Sequence, residues 1–115
     1  MTNDDMDAVF HALAHATRRR ILDLVNAKPG QGVGELASAF DVSRIAVMNH
    51  LAVLEQAGLI HSEKDGRTRR LYFNAAPIQM IQDRWMSAYS ARWAGRATAL
   101  KYAAEAAAKR QEDEE

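Results

Sequence analysis

Two groups of side chains in this sequence have the types and spacing to bind a polyanion. The first is S-R-I-A-V-M-N at 43–49. Arg44 can pair with guanine O6 and N7, and Asn49 with adenine N6 and N7, while Ile45 and Met48 suit a thymine methyl. Ser43 can hydrogen-bond a phosphate from the start of a helix. The second group is Lys64, Arg67, Arg69 and Arg70, four positive charges in seven residues against one acid, Asp65. Bases on a projecting tip reach phosphate or the minor groove. The bland alternatives are that Ile45 and Met48 pack against a neighbouring element and that the basic segment is a solvated hairpin.

Other chemistries find little support. There is no cysteine, which excludes disulfides, thiolate metal sites and a cysteine nucleophile. No glycine-rich phosphate loop and no Ser-His-Asp spacing is present, so an enzyme is not expected. His11 and His15 have the i, i+4 spacing that can hold a metal, but a zinc site needs three or four protein ligands. Only Asp4, Asp5 and Asp7 lie near them in sequence. No metal and no cofactor is expected. His50 reads as a hydrogen-bonded core residue and His61 as structural.

These groups need elements to position them. Stepping 100° per residue from Val47 puts His50, Leu51, Leu54 and Gly58 on one side of a helix spanning 43–57. Ile45, Asn49, Ala52 and Gln56 fall on the other side, flanked by Arg44 and Met48. Ser43 is its expected N-cap and Gly58 its C-terminal stop. Before it, residues 34–40 predict a short helix and Asp41-Val42 a turn. After it, 60–64 and 67–73 predict a hairpin around Asp65-Gly66, with Ile60 opposite Leu71 and Ser62 opposite Arg69. Helix, turn, helix and basic hairpin over 34–73 make a winged helix-turn-helix. Upstream, Asp4 or Asp5 is the expected cap of a helix to about residue 15. Thr17 is the expected cap of a second helix, which Lys28-Pro29-Gly30 ends. Downstream, residues 74–77 break the chain. A long helix follows over about 78–110, with Ile78, Ile81, Trp85, Tyr89, Trp93, Ala97 and Leu100 at spacings of three or four. One small domain cannot cover so long a stripe, so a second subunit is its simplest partner. A small-ligand pocket between subunits is the sharper reading of the aromatics.

The chain has 115 residues, 48% of them hydrophobic. That size fits a single domain over 1–110, with 111–115 as an acidic tail. No run of about 18 apolar residues appears, so no membrane span is expected. The acidic start, MTNDDMDAVF, lacks a signal pattern, and a cytoplasmic protein is the simplest reading. Formal net charge is zero. Four of the fifteen acids are the last four residues, however; without them fifteen bases face eleven acids. Arg18, Arg19 and Arg20 form a further basic group, suited to phosphate or to salt bridges within the domain.

LAHATRRRIL at 13–22, GELASAF at 34–40, SRIAVMNHLAVLEQAGLI at 43–60 and RTRRLYF at 67–73 closely resemble the ArsR/SmtB family. The resemblance covers residues 6 to about 80. It implies a mainly α fold with a small β-hairpin and about five helices. It also implies a homodimer formed through the first and last helices, with Val9, Phe10, Leu13, Ile81, Trp85, Tyr89 and Trp93 at the interface. It implies a transcriptional regulator, mostly a repressor in that family, on an imperfect palindromic operator whose two recognition helices lie about 34 Å apart. The metal-sensing members carry cysteines where this chain has ELASAF, or carboxylates and histidines on the last helix. That helix has Asp83 and Glu105 here but no histidine, so the chain resembles the non-metal branch. A winged helix used only for protein contacts is the alternative function. The sequence leaves open whether a small apolar ligand, a protein effector or nothing releases the DNA.

Overall fold

The computed structural model describes residues 1–114, except for the side chains of 94, 95, 97–99, 113 and 114. The element order is α1 (Asn3–Leu13), α2 (Ala16–Ala27), α3 (Val33–Ala37), α4 (Arg44–Gln56), β1 (Ile60–Asp65), β2 (Thr68–Phe73) and α5 (Ala76–Glu114). This is the expected mainly helical fold with one antiparallel hairpin. The chain divides into two units, Met1–Ile81 and Gln82–Glu115, the second being the remainder of α5.

The caps differ from those expected. Thr2, not Asp4 or Asp5, caps α1. Its hydroxyl accepts from the Asp5 amide at 3.1 Å, and the Asp5 carboxylate accepts from the Thr2 amide at 2.8 Å. Two orphan donors are satisfied reciprocally, as in a capping box, and these bonds hold the Asp5 carboxyl below its ordinary pKa. The next helix starts two residues earlier than a Thr17 cap would place it. His15 is its N-cap, with Nδ1 accepting from the Thr17 amide at 3.1 Å. Residues 38–40 leave the α-helical pattern: Ala39 and Phe40 bond the carbonyls three residues back, the tighter geometry common at helix ends. Pro77 does not break the chain but lies in the first turn of α5, where its missing N–H costs nothing. That helix runs past the expected end near 110 to Glu114.

The core of Met1–Ile81 is built from Val9 and Ala12 of α1, Ile21 and Val25 of α2, Leu36 of α3, and Val47, Leu51 and Leu54 of α4. Leu59, Ile60 and Leu71 close it beneath the hairpin. Each buried leucine contributes roughly 1.5–3 kcal/mol of transfer free energy. Val9 is 1% exposed within its own chain, which corrects its expected place at a subunit interface: it has no surface left to offer.

The hairpin register also differs. Ile60 pairs with Phe73 and Ser62 with Leu71, two residues from the expected pairing. The turn residues are Gly66 and Arg67, not Asp65 and Gly66. Gly66 has φ +64°, and among the described residues no non-glycine has positive φ. A glycine at the first central position with an ordinary residue second is the type II′ pattern, whereas type I′ needs positive φ at both. A shift of two keeps every side chain on its expected face, so Leu71 still points into the core. The loop between α2 and α3 joins the sheet edge: Gly30 N–H donates to the Leu71 carbonyl at 2.8 Å and Leu71 N–H to the Gln31 carbonyl at 3.0 Å. Gly30 adopts φ +85°, where a Cβ would also press on the Tyr72 hydroxyl.

Arg18, 8% exposed, ties these layers together. Its Nε donates to the Ala12 carbonyl at 2.8 Å and its Nη2 to the His11 carbonyl at 2.9 Å. Its Nη1 lies 3.3 Å from His50 Nδ1 on α4. A guanidinium only donates, so that Nδ1 must be an unprotonated acceptor. The His50 ring packs on His15 with centroids 4.5 Å apart. Arg19 likewise donates to the Leu13 carbonyl at 2.8 Å. Arg18 and Arg19 thus satisfy the last carbonyls of α1, a role suited to cations at a helix C-terminus, and among the described residues neither forms a salt bridge. His61, expected to be structural, is instead exposed beside Glu63 at 3.5 Å.

Two predictions follow from this cluster. Arg18→Met should lower unfolding free energy by about 1–3 kcal/mol in urea titration, the cost of stranding buried acceptors. The His50 pKa lies below its ordinary 6.5, first through burial and then through the charges of His15 and Arg18. The unfolded chain therefore takes up that proton more readily. The stability it contributes is present above about pH 6.5 and lost as pH falls through the lowered folded value. Urea midpoints measured between about pH 7.5 and 5.5 should fall, and His50→Gln should flatten that fall.

Candidate nucleic-acid interface

The helix Arg44–Gln56 starts at Ser43, whose hydroxyl oxygen accepts from the Ala46 amide at 3.1 Å. The cap uses one lone pair and leaves the hydroxyl proton free to donate. From that start, Val47, Leu51 and Leu54 point inward and are fully buried. The opposite face carries Arg44, Ile45, Met48 and Asn49, all exposed. Ile45 is 72% exposed, so it does not pack against a neighbouring element of its own chain. Val42, half exposed beside Ser43, extends the apolar part of this face. Sequence reasoning passed over it as a turn residue.

The hairpin stands beside this face. An open groove of about 500 Å³ lies between them, walled by Arg44 and Met48 on the helix side and by Arg67, Thr68, Arg69 and Arg70 on the hairpin side. Its floor is the start of α3, at Gly32, Val33, Gly34 and Glu35. Of the nine residues expected to meet a polyanion, five therefore line one cleft. Ser43, Ile45, Asn49 and Lys64 lie outside its lining. Thr68 was not foreseen; its flanking arginines and its hydroxyl were the available signal.

The four hairpin cations are not equivalent. Arg69 is paired with Glu55 at the end of α4, and its Nε donates to Ser62 Oγ at 3.0 Å. Arg70 donates from Nε to Asp65 at 2.9 Å and from Nη1 to the Gly30 carbonyl at 3.0 Å. The Asp65 contact raises the Arg70 pKa further above its ordinary value. Among the described residues, no ion pair involves Lys64 or Arg67, and both are exposed at the tip. The four therefore do not share one projecting tip as expected: Arg69 and Arg70 face back to the body. The two histidines with metal-compatible spacing are also separated in role, since His15 is a cap against His50. Among the described residues no cluster of three His, Cys, Asp or Glu could hold a metal, and no helix is long and apolar enough to cross a membrane.

The second unit carries aromatics at helical spacing. Trp85 and Tyr89 are exposed and Trp93 half-buried, with Tyr89 and Trp93 rings 6.5 Å apart. Arg84 lies over Trp85 and Arg96 over Trp93, at 5.9 and 4.5 Å from the ring centres. Ala97, expected in the same stripe, is among the side chains outside the description.

A helix-turn-helix domain family matches residues 13–63, the span from the end of α1 to the first hairpin strand. The chain is 38% identical over 90 residues to the HTH-type transcriptional regulator YuzN of Bacillus subtilis, covering 73% of this chain and 98% of that one. It is 35% identical over 75 residues to the transcriptional repressor SdpR of the same organism, covering 64% and 81%. Among solved structures, an ArsR-like transcriptional regulator from Rhodococcus sp. RHA1 superposes with TM-score 0.65 at 33% identity, covering 88% of this chain and 93% of that one. Relatives so similar are regulators and not enzymes. The exposed helix face, the basic hairpin beside it and these likenesses agree: the chain belongs to the ArsR family of winged helix-turn-helix transcriptional regulators.

Proposed function

We propose that this regulator is a repressor that binds an imperfect palindromic operator as a homodimer. The observation that carries the reading is the exposed face of α4, where Ile45, Met48, Arg44 and Asn49 surround a capped helix N-terminus next to a cationic groove. Such a helix fits a major groove about 12 Å wide. Arg44 and Asn49 supply the bidentate donors, each worth about 1–3 kcal/mol of discrimination. Ile45 and Met48 meet thymine methyls. Ser43 donates its free hydroxyl proton to a phosphate and so sets the register. Lys64 and Arg67 take the backbone or the minor groove, with Arg69 and Arg70 adding positive potential from their paired positions. Repression is supported by the likeness to SdpR, itself named a transcriptional repressor.

Dimerisation is supported by the apolar surface left open. Phe10, Trp85 and Tyr89 are each about half exposed, and Leu13, Ile81 and Trp93 are half-buried. A surface of this kind in water signals a partner. Two copies related by a two-fold axis place two identical faces on two half-sites about one helical turn apart.

Fluorescence anisotropy on the DNA upstream of the chain's own gene, with excess mixed-sequence competitor, tests the reading. Competitor-resistant binding is expected; binding abolished by the competitor would instead favour a protein-contact module. Asn49→Ala should reduce discrimination, with a cost of about 1–3 kcal/mol on the preferred site and little elsewhere. Lys64→Ala with Arg67→Ala should weaken binding to every sequence and flatten the salt slope by about 0.9 per lost phosphate contact. For the dimer, sedimentation of Trp85→Ala/Tyr89→Ala should shift toward the monomer, and a monomeric parent would refute the two-fold arrangement.

A further inference from the structure

One wall residue of the groove, Arg69, is paired with an acid that a DNA-binding surface would be expected to shed. Glu55 lies in the last turn of α4 with its side chain 26% exposed, paired with Arg69 of β2. The same guanidinium is held from its other side by Ser62 Oγ at 3.0 Å. Alternation along β2 puts Arg69 on the face of the buried Leu71, directed toward α4. On the opposite face, Arg70 joins Asp65 near the tip to the Gly30 carbonyl in the loop before α3. A two-stranded hairpin alone is marginally stable in water. Its apolar base is Ile60 and Leu71, and everything beyond is polar. Without these two stays the tip would have no fixed direction.

We propose that Glu55 is a positioning residue: through Arg69 it holds the wing at a fixed angle to the recognition helix, so that Lys64 and Arg67 reach the same duplex that α4 reads. The inference rests on the DNA-binding reading above and deepens it. A wing already ordered loses less conformational freedom on binding. Two effects of the carboxylate then oppose each other. By charge alone it repels phosphate, and removing it would tighten binding. As a stay it favours binding, and removing it weakens binding.

The sign decides. Affinity for a mixed-sequence duplex of about three helical turns is measured across a salt series. Glu55→Gln keeps the side-chain shape and should weaken binding about three- to tenfold with an unchanged salt slope. Arg69→Ala should do the same, whereas a phosphate-contacting Arg69 would leave a shallower slope. The reversed pair, Glu55→Arg with Arg69→Glu, keeps the net charge and should recover affinity to within about twofold. Equal or tighter binding by Glu55→Gln overturns the proposal. A readout that needs no DNA is amide hydrogen exchange: in Glu55→Gln the amides of 64–69 should exchange faster while Leu51 and Leu54 keep their protection. Unchanged wing exchange also overturns it. A parent chain that binds no duplex would instead remove the DNA-binding reading, leaving the exchange result to decide the stay.

Discussion

A single buried guanidinium sets the angle between the first helix and the recognition helix. Arg18 reaches back to the last carbonyls of α1 and across to His50 on the inner face of α4. A buried cation without partners would cost several kcal/mol, and here each of the three guanidinium nitrogens meets an acceptor. Hydrophobic contact alone would hold these helices together but would tolerate sliding, because it has no direction. Hydrogen bonds with fixed donors remove that freedom. The outward face of α4 is placed by what its inward face touches, so the position of Asn49 in space depends on the neighbouring His50.

The exposed surface follows from the same economy of contacts. The chain is formally neutral, yet the groove beside α4 is walled by four arginines. Charge distribution therefore governs what this surface attracts, with net charge saying little. Within the wing, half of the cations are spent on architecture. Arg69 and Arg70 tie the hairpin to α4 and to the loop before α3, while Lys64 and Arg67 face solvent. A surface that binds a stiff polyanion benefits from both: stays that fix its shape and free charges that meet phosphate.

Much of this was readable along the chain. Val47, Leu51 and Leu54 at helical spacing determined which face of α4 is buried, and therefore that Arg44, Ile45, Met48 and Asn49 are exposed. Ser43 and Gly58 marked its ends because cap chemistry is local. The hairpin was legible from its glycine turn and its apolar ends, and its faces were right even though the register was off by two. The pairing slipped because Asp-Gly and Gly-Arg are both acceptable turns, and only the packing of Ile60 and Phe73 at the base distinguishes them. His15 as a cap was missed because Thr17 is the commoner choice and because its ring is held by His50, 35 positions away.

The sequence by itself determined the order of elements, the buried face of α4 and the family, since all of these follow from short-range periodicity and turn chemistry. Tertiary structure alone decided which charges are available. Arg18 and Arg67 look alike in sequence; one is buried against carbonyls and the other stands in solvent. Glu55 and Arg69 are 14 positions apart, and nothing in their spacing announces that they meet. Long-range pairing depends on where the folded backbone brings two side chains, and that is set by the whole core at once.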